Sequence, residues 1–317
     1  MKKILLASTA FVGFAGAAAA EISLSGYAEI GIAGGDNIET QFHNDWQVNF
    51  NFSGTMDNGV EFGGKVQIEE SNSPFSINGT PKIDDEAFWV SGAFGKVTLG
   101  ETDGAFDWAL SEIYTGTGLQ DDHSTHAGAY WFTGLDGTYD DQIMRYEYSF
   151  GDFAAAISAE MDDTGGGDTN FAIGGKWAGN VSGVDVGVGV GYQDNGVNSV
   201  WGLSGSAGFS NGFSVALGYA DLDGTSDAVG NGVPVNSWWG IGVAYTPATM
   251  SALTIGVNYG EYDAIAGSNP SGYGLVVNYD LGGGAVAMAS YGKSDGTFQN
   301  GNTNGNDSFS LGLGLSF

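Results

Sequence analysis

From Phe309 to Phe317 every second residue is large and apolar, and each residue between is serine or glycine. A chain of period two sends these to opposite faces, so the stretch reads as a strand with one greasy face and one small, polar face. The pattern recurs along the whole sequence. Trp46, Val48, Phe50 and Phe52 alternate with Gln47, Asn49 and Asn51, and Val184, Val186, Val188, Val190 and Tyr192 alternate with Asp185, Gly187, Gly189 and Gly191. Leu253, Ile255, Val257, Tyr259 and Tyr273, Leu275, Val277, Tyr279 repeat it. Nothing of helical period competes with it, so the fold class is all-β.

The connections alternate in length. Short ones fall at 56–59, 93–95, 151–152, 178–183, 210–212, 246–252 and 281–284, most of them carrying the Asn, Asp and Gly of tight turns. Long ones fall near 34–44, 71–83, 103–141, 161–168, 194–198, 224–235, 263–270 and 295–305. Seven short and eight long connections predict sixteen strands. An even number of antiparallel strands, with short turns at one end and long loops at the other, predicts a transmembrane β-barrel.

A soluble β-sandwich also alternates, so the aromatic residues have to decide. Tyr148, Phe150, Phe153, Phe209, Phe213, Tyr245, Tyr279 and Phe317 lie on the apolar parity beside short turns, and Tyr192, Tyr219 and Tyr259 lie on it near long loops. Two aromatic rings bounding an aliphatic band match the two interfaces of a membrane. The N-terminus agrees. Lys2 and Lys3, an apolar stretch from Ile4 to Gly16 and Ala18-Ala19-Ala20 predict a signal peptide over residues 1–20, with the barrel over 21–317. The expected location is the outer membrane of a Gram-negative cell, among lipid and lipopolysaccharide.

Two of the eight basic residues lie in that leader, which leaves six against thirty-seven acidic residues and a formal charge of −31. Nucleic acid is excluded as a partner, since phosphate binding needs a basic face. Cysteine is absent, which removes disulfides and thiolate metal sites. Glycine numbers 56, but aromatics make 13% of the chain, too many for a disordered sequence. Many glycines and serines share the inward parity: Gly202, Ser204, Ser206, Gly208, Ser214, Ala216 and Gly218. Small inward residues suit either an unfilled lumen or a wall crowded by an inserted loop.

Residues 103–141 supply a candidate for that loop. The segment is rich in aromatics, holds Asp103, Asp107, Glu112, Asp121 and Asp122 among its acids, and has no Lys or Arg. Four of the basic residues, Lys65, Lys96, Arg145 and Lys176, sit on the inward parity of their strands. A lipid-facing cation would cost about 2–4 kcal/mol at the bilayer midplane, which accounts for their direction. Lys65 and Arg145 stand at similar distances from their short turns, and the expectation is a transverse field between them and the acidic loop. Trp89, Trp108, Tyr114 and Trp131 are candidates for an aromatic path along a pore.

Other motifs carry less. Asp122-His123-Ser124-Thr125-His126 offers two imidazoles three residues apart but no third zinc ligand on a supporting element. Gly187-x-Gly189-x-Gly191 is not followed by a helix, so it is strand alternation and not a dinucleotide site. Asp221-x-Asp223-Gly224 starts like a calcium loop, yet its twelfth position is Gly232 and not Glu. Asp162, Asp163 and Asp168 in a glycine-rich loop are candidate calcium ligands. No arrangement suggests an enzyme.

Phe52-Ser53-Gly54-Thr55 followed by Asp57-Asn58-Gly59-Val60-Glu61-Phe62-Gly63, and Val90 to Gly100 leading into the long loop, resemble the general-diffusion porins of Gram-negative outer membranes, particularly the alphaproteobacterial type. Tyr279 to Ala285 and the terminal Phe317 add to the resemblance, which spans the chain beyond the leader. It implies a homotrimer, a third loop folded into each barrel, calcium among acidic loop residues, and passive diffusion of small hydrophilic solutes and ions. The acidic mouth favours cations. The chain departs from the enteric pattern of several wall arginines, since Arg145 is its only one. The rival expectations are a solute-specific channel, for sugars for example, and a structural or adhesive barrel.

Overall fold

The computed structural model describes residues 21–36, 38–71, 80–135, 142–161, 169–225, 234–296 and 307–317. The expected signal peptide and Asp162, Asp163 and Asp168 lie outside the described residues. Sixteen strands follow one another: β1 Glu21–Gly35, β2 Ile38–Thr55, β3 Glu61–Ser71, β4 Thr80–Gly92, β5 Gly95–Gly100, β6 Ile143–Phe150, β7 Phe153–Glu160 and β8 Asn170–Val181. The second half comprises β9 Val184–Asp194, β10 Ser199–Gly208, β11 Phe213–Asp221, β12 Val235–Tyr245, β13 Leu253–Ala264, β14 Ser271–Gly282, β15 Ala285–Asp295 and β16 Asp307–Ser316. Each pairs antiparallel with its neighbours in sequence, and β16 returns to β1 to close a barrel. Tyr27 faces Ser316 at one end of the seam and Gly35 faces Ser308 at the other. Phe317 extends it by exchanging backbone hydrogen bonds with Gly26, at 2.6 and 3.0 Å.

Three connections differ from the sequence expectation. The expected long loop at 34–44 is mostly strand: β1 runs to Gly35 and β2 starts at Ile38. Gln41, His43 and Asp45 keep the inward parity there while Phe42 and Trp46 point out, so a polar stretch that resembles a loop is a ladder continued past the bilayer. At 15 and 18 residues these strands exceed the span of about 9–11 that a membrane needs. The connection expected over 178–183 shrinks to Ser182 and Gly183, with φ of 53° and 88°, the positive values of a two-residue hairpin turn. The stretch at 194–198 is likewise a compact turn, with Asn195 Oδ1 accepting from the backbone of Val197 and Asn198 at 3.0 and 2.8 Å.

The outer surface settles which solvent surrounds the wall. Leu24, Ile157, Ile173, Leu203 and Leu311 are all exposed, and so large an apolar area is stable only against hydrocarbon. Aromatic pairs bound this band across strands: Phe213–Tyr245 at 4.4 Å and Phe150–Phe153 at 5.8 Å near the short turns, Trp201–Tyr219 at 5.3 Å and Trp239–Tyr259 at 5.4 Å towards the other end. Among the described residues no helix is long and apolar enough to cross a membrane; the strands do so. The buried core therefore lies inside. Phe106, Ile113, Tyr130 and Phe132, all from the segment between β5 and β6, pack on Trp238 and Tyr262 of the wall.

This orientation makes a direct prediction. Leu203→Arg, outward at the middle of β10, should destabilise the barrel by about 2–4 kcal/mol in urea titrations of protein folded into lipid vesicles. Ser206→Arg, on the inner face of the same strand, should cost little. Equal losses from the two would contradict the assignment of faces.

Candidate functional site

Between β5 and β6 the chain makes a long excursion along the inner wall. It opens with one turn of helix, α1 (Ala105–Ala109), started by Gly104 and closed by Leu110 N–H donating to Asp107 O at 2.9 Å. Ala105, Phe106 and Ala109 are buried, which turns Asp107 and Trp108 the other way. The wall then takes up the loop backbone at short intervals. Ser158 Oγ accepts from Ala105 N–H and Ser204 Oγ from Ser111 N–H, both at 2.8 Å. Asn278 Nδ2 donates to Thr117 O at 3.0 Å, and Trp238 Nε1 donates to Gly128 O at 2.8 Å. Leu135 N–H finally donates to Gln193 Oε1 at 2.6 Å. Each such bond contributes about 0.5–1.5 kcal/mol, and together they hold the segment in one path.

Three of the four inward cations, Lys65, Arg145 and Lys176, meet the start of this segment. Lys65 pairs with Asp85, and the two line a cavity of about 400 Å³ with Glu101, Asp103, Asp107 and Thr133. Arg145 is buried. It donates to the carbonyl oxygen of Asp103, donates from Nε to Glu147 at 3.1 Å, and stands 5.9 Å from the Trp108 ring. Lys176 lies 3.7 Å over the same ring and donates to Trp108 O at 2.6 Å. Lys96 approaches Glu147 at 3.7 Å and the Trp89 ring at 6.0 Å. Trp108 thus serves as a platform under two cations, an arrangement worth about 0.5–2 kcal/mol for each when partly desolvated.

The structure brings Lys65, Asp103 and Asp107 together and leaves the other acidic candidates elsewhere. Glu112 lines a separate cavity of about 580 Å³ with Tyr114, Asn180 and Asp185. Asp122 accepts from Ser290 Oγ at 3.1 Å, beside β15 and β16, while Asp121 accepts from Gly118 N–H at 3.3 Å. The aromatic candidates also divide. Trp108 and Trp89 stand with cations, whereas Tyr114 and Trp131 make a tilted contact at 4.8 Å within the loop, with Trp131 Nε1 donating to Ser124 O at 3.0 Å. Of the two loop histidines, His126 is tied into the hydrogen-bond network of the wall. His126 Nδ1 accepts from Gly128 N–H at 3.1 Å, so Nε2 carries the proton to Asn258 Oδ1 at 2.6 Å. Burial pushes its pKa down to about 4. Among the described residues, no three potential metal ligands come together.

Asp85, Glu101 and Glu147 are site residues that the sequence reading did not single out. Glu147 was within reach, since it alternates with Tyr146 and Tyr148 on the inward parity. Asp85 was not: the ladder slips between Lys65 and Gln67, and Asp85 itself takes φ 52°, so the count of parity breaks there.

The profile of the family described as Gram-negative porin matches residues 7–316. The porin of Rhodobacter capsulatus is 32% identical over 154 residues, which cover 47% of this chain and 48% of that protein, so the match spans about half the length of the relative. A solved porin structure superposes with a TM-score of 0.73 at 26% identity, over 94% of this chain and 100% of the other. A triple mutant of the Rhodopseudomonas blastica porin superposes with a TM-score of 0.69 at 17% identity, over 93% and 100%. At that identity the second likeness speaks for the fold alone.

Among the described residues of the loop, Glu112 carries a strongly perturbed carboxyl. Burial first, and the negative charge of Asp103 second, push its carboxyl up to about 7 from an ordinary 4.5. The folded state therefore holds a proton that the unfolded chain has released. The stability this brings is fully present below about pH 4.5 and is lost as pH rises through about 7. Infrared difference spectra against Glu112→Gln should show a protonated carboxyl at pH 5.5 that disappears above neutrality. A Glu112 already ionised at pH 5.5 would contradict this environment.

Proposed function

The chain belongs to the Gram-negative porin family, and from this we propose that it passes small hydrophilic solutes and ions by passive diffusion, with a preference for cations. It is a multi-pass β-barrel of the outer membrane and not an enzyme. A barrel of sixteen strands is wide enough for an aqueous channel, whereas about eight strands fill with side chains. The loop between β5 and β6 then sets size and charge preference.

The observation that carries the cation preference is the charge balance beside α1. One ammonium, Lys65, faces Asp85, Glu101, Asp103 and Asp107 around a single cavity. The charge of Arg145 is offset by Glu147, and Lys176, held by the Trp108 carbonyl and ring, keeps its own, so around the cavity itself Lys65 stands against four carboxylates. A unit charge 4 Å from a carboxylate in water gains about 1 kcal/mol, so a surplus of a few carboxylates enriches cations several-fold over anions. Homotrimeric assembly belongs to the same proposal, supported by the family's oligomeric character.

Single-channel recording in a planar bilayer under a salt gradient tests this. The expected result is ohmic steps that close in threes and a reversal potential on the cation side. Asp103→Asn with Asp107→Asn should move that potential towards zero. Folded protein that carries no current would defeat the diffusion reading, and an anion-side potential would defeat the charge assignment.

A further inference from the structure

We infer that the bore of this channel is set by a track of inward glycines that carries the backbone of the loop between β5 and β6. The inference rests on the diffusion-channel reading. A Cβ placed at Gly174 would stand 2.0 Å from the carbonyl oxygen of Ala105, and one at Gly189 would stand 2.0 Å from that of Ala109. At Gly242 it would meet Ile113 O at 1.7 Å, at Gly260 Gly128 O at 2.0 Å, at Gly274 His123 O at 1.9 Å and at Gly292 Asp122 O at 2.0 Å. A Cβ does not sit that close to an oxygen to which it is not bonded. These are backbone atoms, which cannot swing aside as a side chain does, so any larger residue must lift the loop from the wall.

The six contacts trace a route. The outbound leg touches β8 at Ala105, β9 at Ala109 and β12 at Ile113, then reaches β16 and β1, where Leu119 packs on Gly312 and Gly31. Gln120 approaches His43 of β2 at 3.4 Å. The return leg touches β15 at Asp122, β14 at His123 and β13 at Gly128, and Phe132 packs on Gly218 of β11. Some of the glycines are direct cross-strand partners: Gly218 faces Gly240, Gly240 faces Gly260, and Gly274 faces Gly292. The loop is therefore a two-legged collar laid flat along most of the inner circumference. It does not stand across the lumen, and its clearance from the axis depends on six absent methyl groups. Cα–H groups facing carbonyl oxygens at such positions also form weak hydrogen bonds, which a substituent would remove.

Gly242→Ala and Gly274→Ala should each shift unit conductance from the wild-type value and make the loop newly susceptible to protease. Gly208→Ala is the control: a Cβ there would meet only ordinary contacts at 3.8 Å from Asp185. It should leave conductance and cleavage unchanged. Wild-type conductance together with wild-type protection in both track variants would overturn the inference. A second test does not depend on tolerating a substitution in the track. The chain has no cysteine, so Asp122→Cys with Ser290→Cys introduces one thiol pair between loop and wall. A disulfide that forms in the folded protein and leaves conductance equal in oxidised and reduced forms is the expected result. A pair that fails to close, or whose closure changes the current, would show that the loop rests elsewhere. Protease protection and bridge formation are read without any current. A tightly held collar in a non-conducting barrel would thus sink the channel reading and spare the track.

Discussion

The constraint on which everything else depends is that hydrocarbon offers no partner to a peptide N–H or C=O. A sheet can meet it only by having no edge, and the pairing of β16 with β1, continued by the exchange between Phe317 and Gly26, removes the last one. Once the ring is closed, one face of every strand must be apolar and the polar inventory has a single destination. Period-two alternation is the sequence form of that requirement. It forces Lys65, Lys96, Arg145 and Lys176 inward for the same reason that it forces Leu203 and Ile173 outward.

A ring this wide has no core of its own, because sixteen strands hold their inner faces too far apart to touch. The segment between β5 and β6 supplies the missing partner. Phe106, Tyr130 and Phe132 form edge and tilted contacts with Trp238 at up to 5.5 Å or with one another at up to 6.3 Å, inside a protein whose outer leucines are bare. Trp238 is completely buried, next to an exposed Trp239 on the same strand. The two neighbouring indoles therefore serve different ends: one anchors the loop and the other marks the membrane interface. The wall cations are drawn into the same task. Lys176 and Arg145 hold the carbonyls of Trp108 and Asp103, which fixes both ends of α1.

Strand number and facing were legible in the sequence because both follow from a local rule repeated sixteen times. The inward direction of Lys65, Lys96, Arg145 and Lys176 followed from parity alone. Where a strand departs from that rule, legibility ended: the slip between Lys65 and Gln67 hid Asp85, and the polar residues around His43 disguised a strand as a loop. The path of the 103–141 segment was not readable for a different reason. It is fixed by contacts such as Ile113 on Gly242 and Gly128 on Gly260, more than a hundred residues apart, and no local pattern encodes the pairing. The small inward residues were visible, but the sequence left open whether they make space for water or for the loop. At six glycines an added Cβ would fall within 2.1 Å of a loop carbonyl oxygen, which assigns those positions to the loop, while Gly208 and Ser206 border open space.

The charge of the chain takes on meaning in this setting. With thirty-seven acids and so few bases, the lumen would be acidic under almost any arrangement, so the composition says little about how selective the channel is. On the proposed reading, what matters is where the scarce cations stand. Arg145 pairs with Glu147, and Lys176 is held by a backbone carbonyl and one indole face, which leaves Lys65 as the cation that faces the carboxylates of the cavity beside α1. The groups that fix the loop are then also among those that would set the sign of the proposed pore. Glu112 sits further along the same loop and gains its charge as pH passes about 7, so the negative charge of the loop grows with pH.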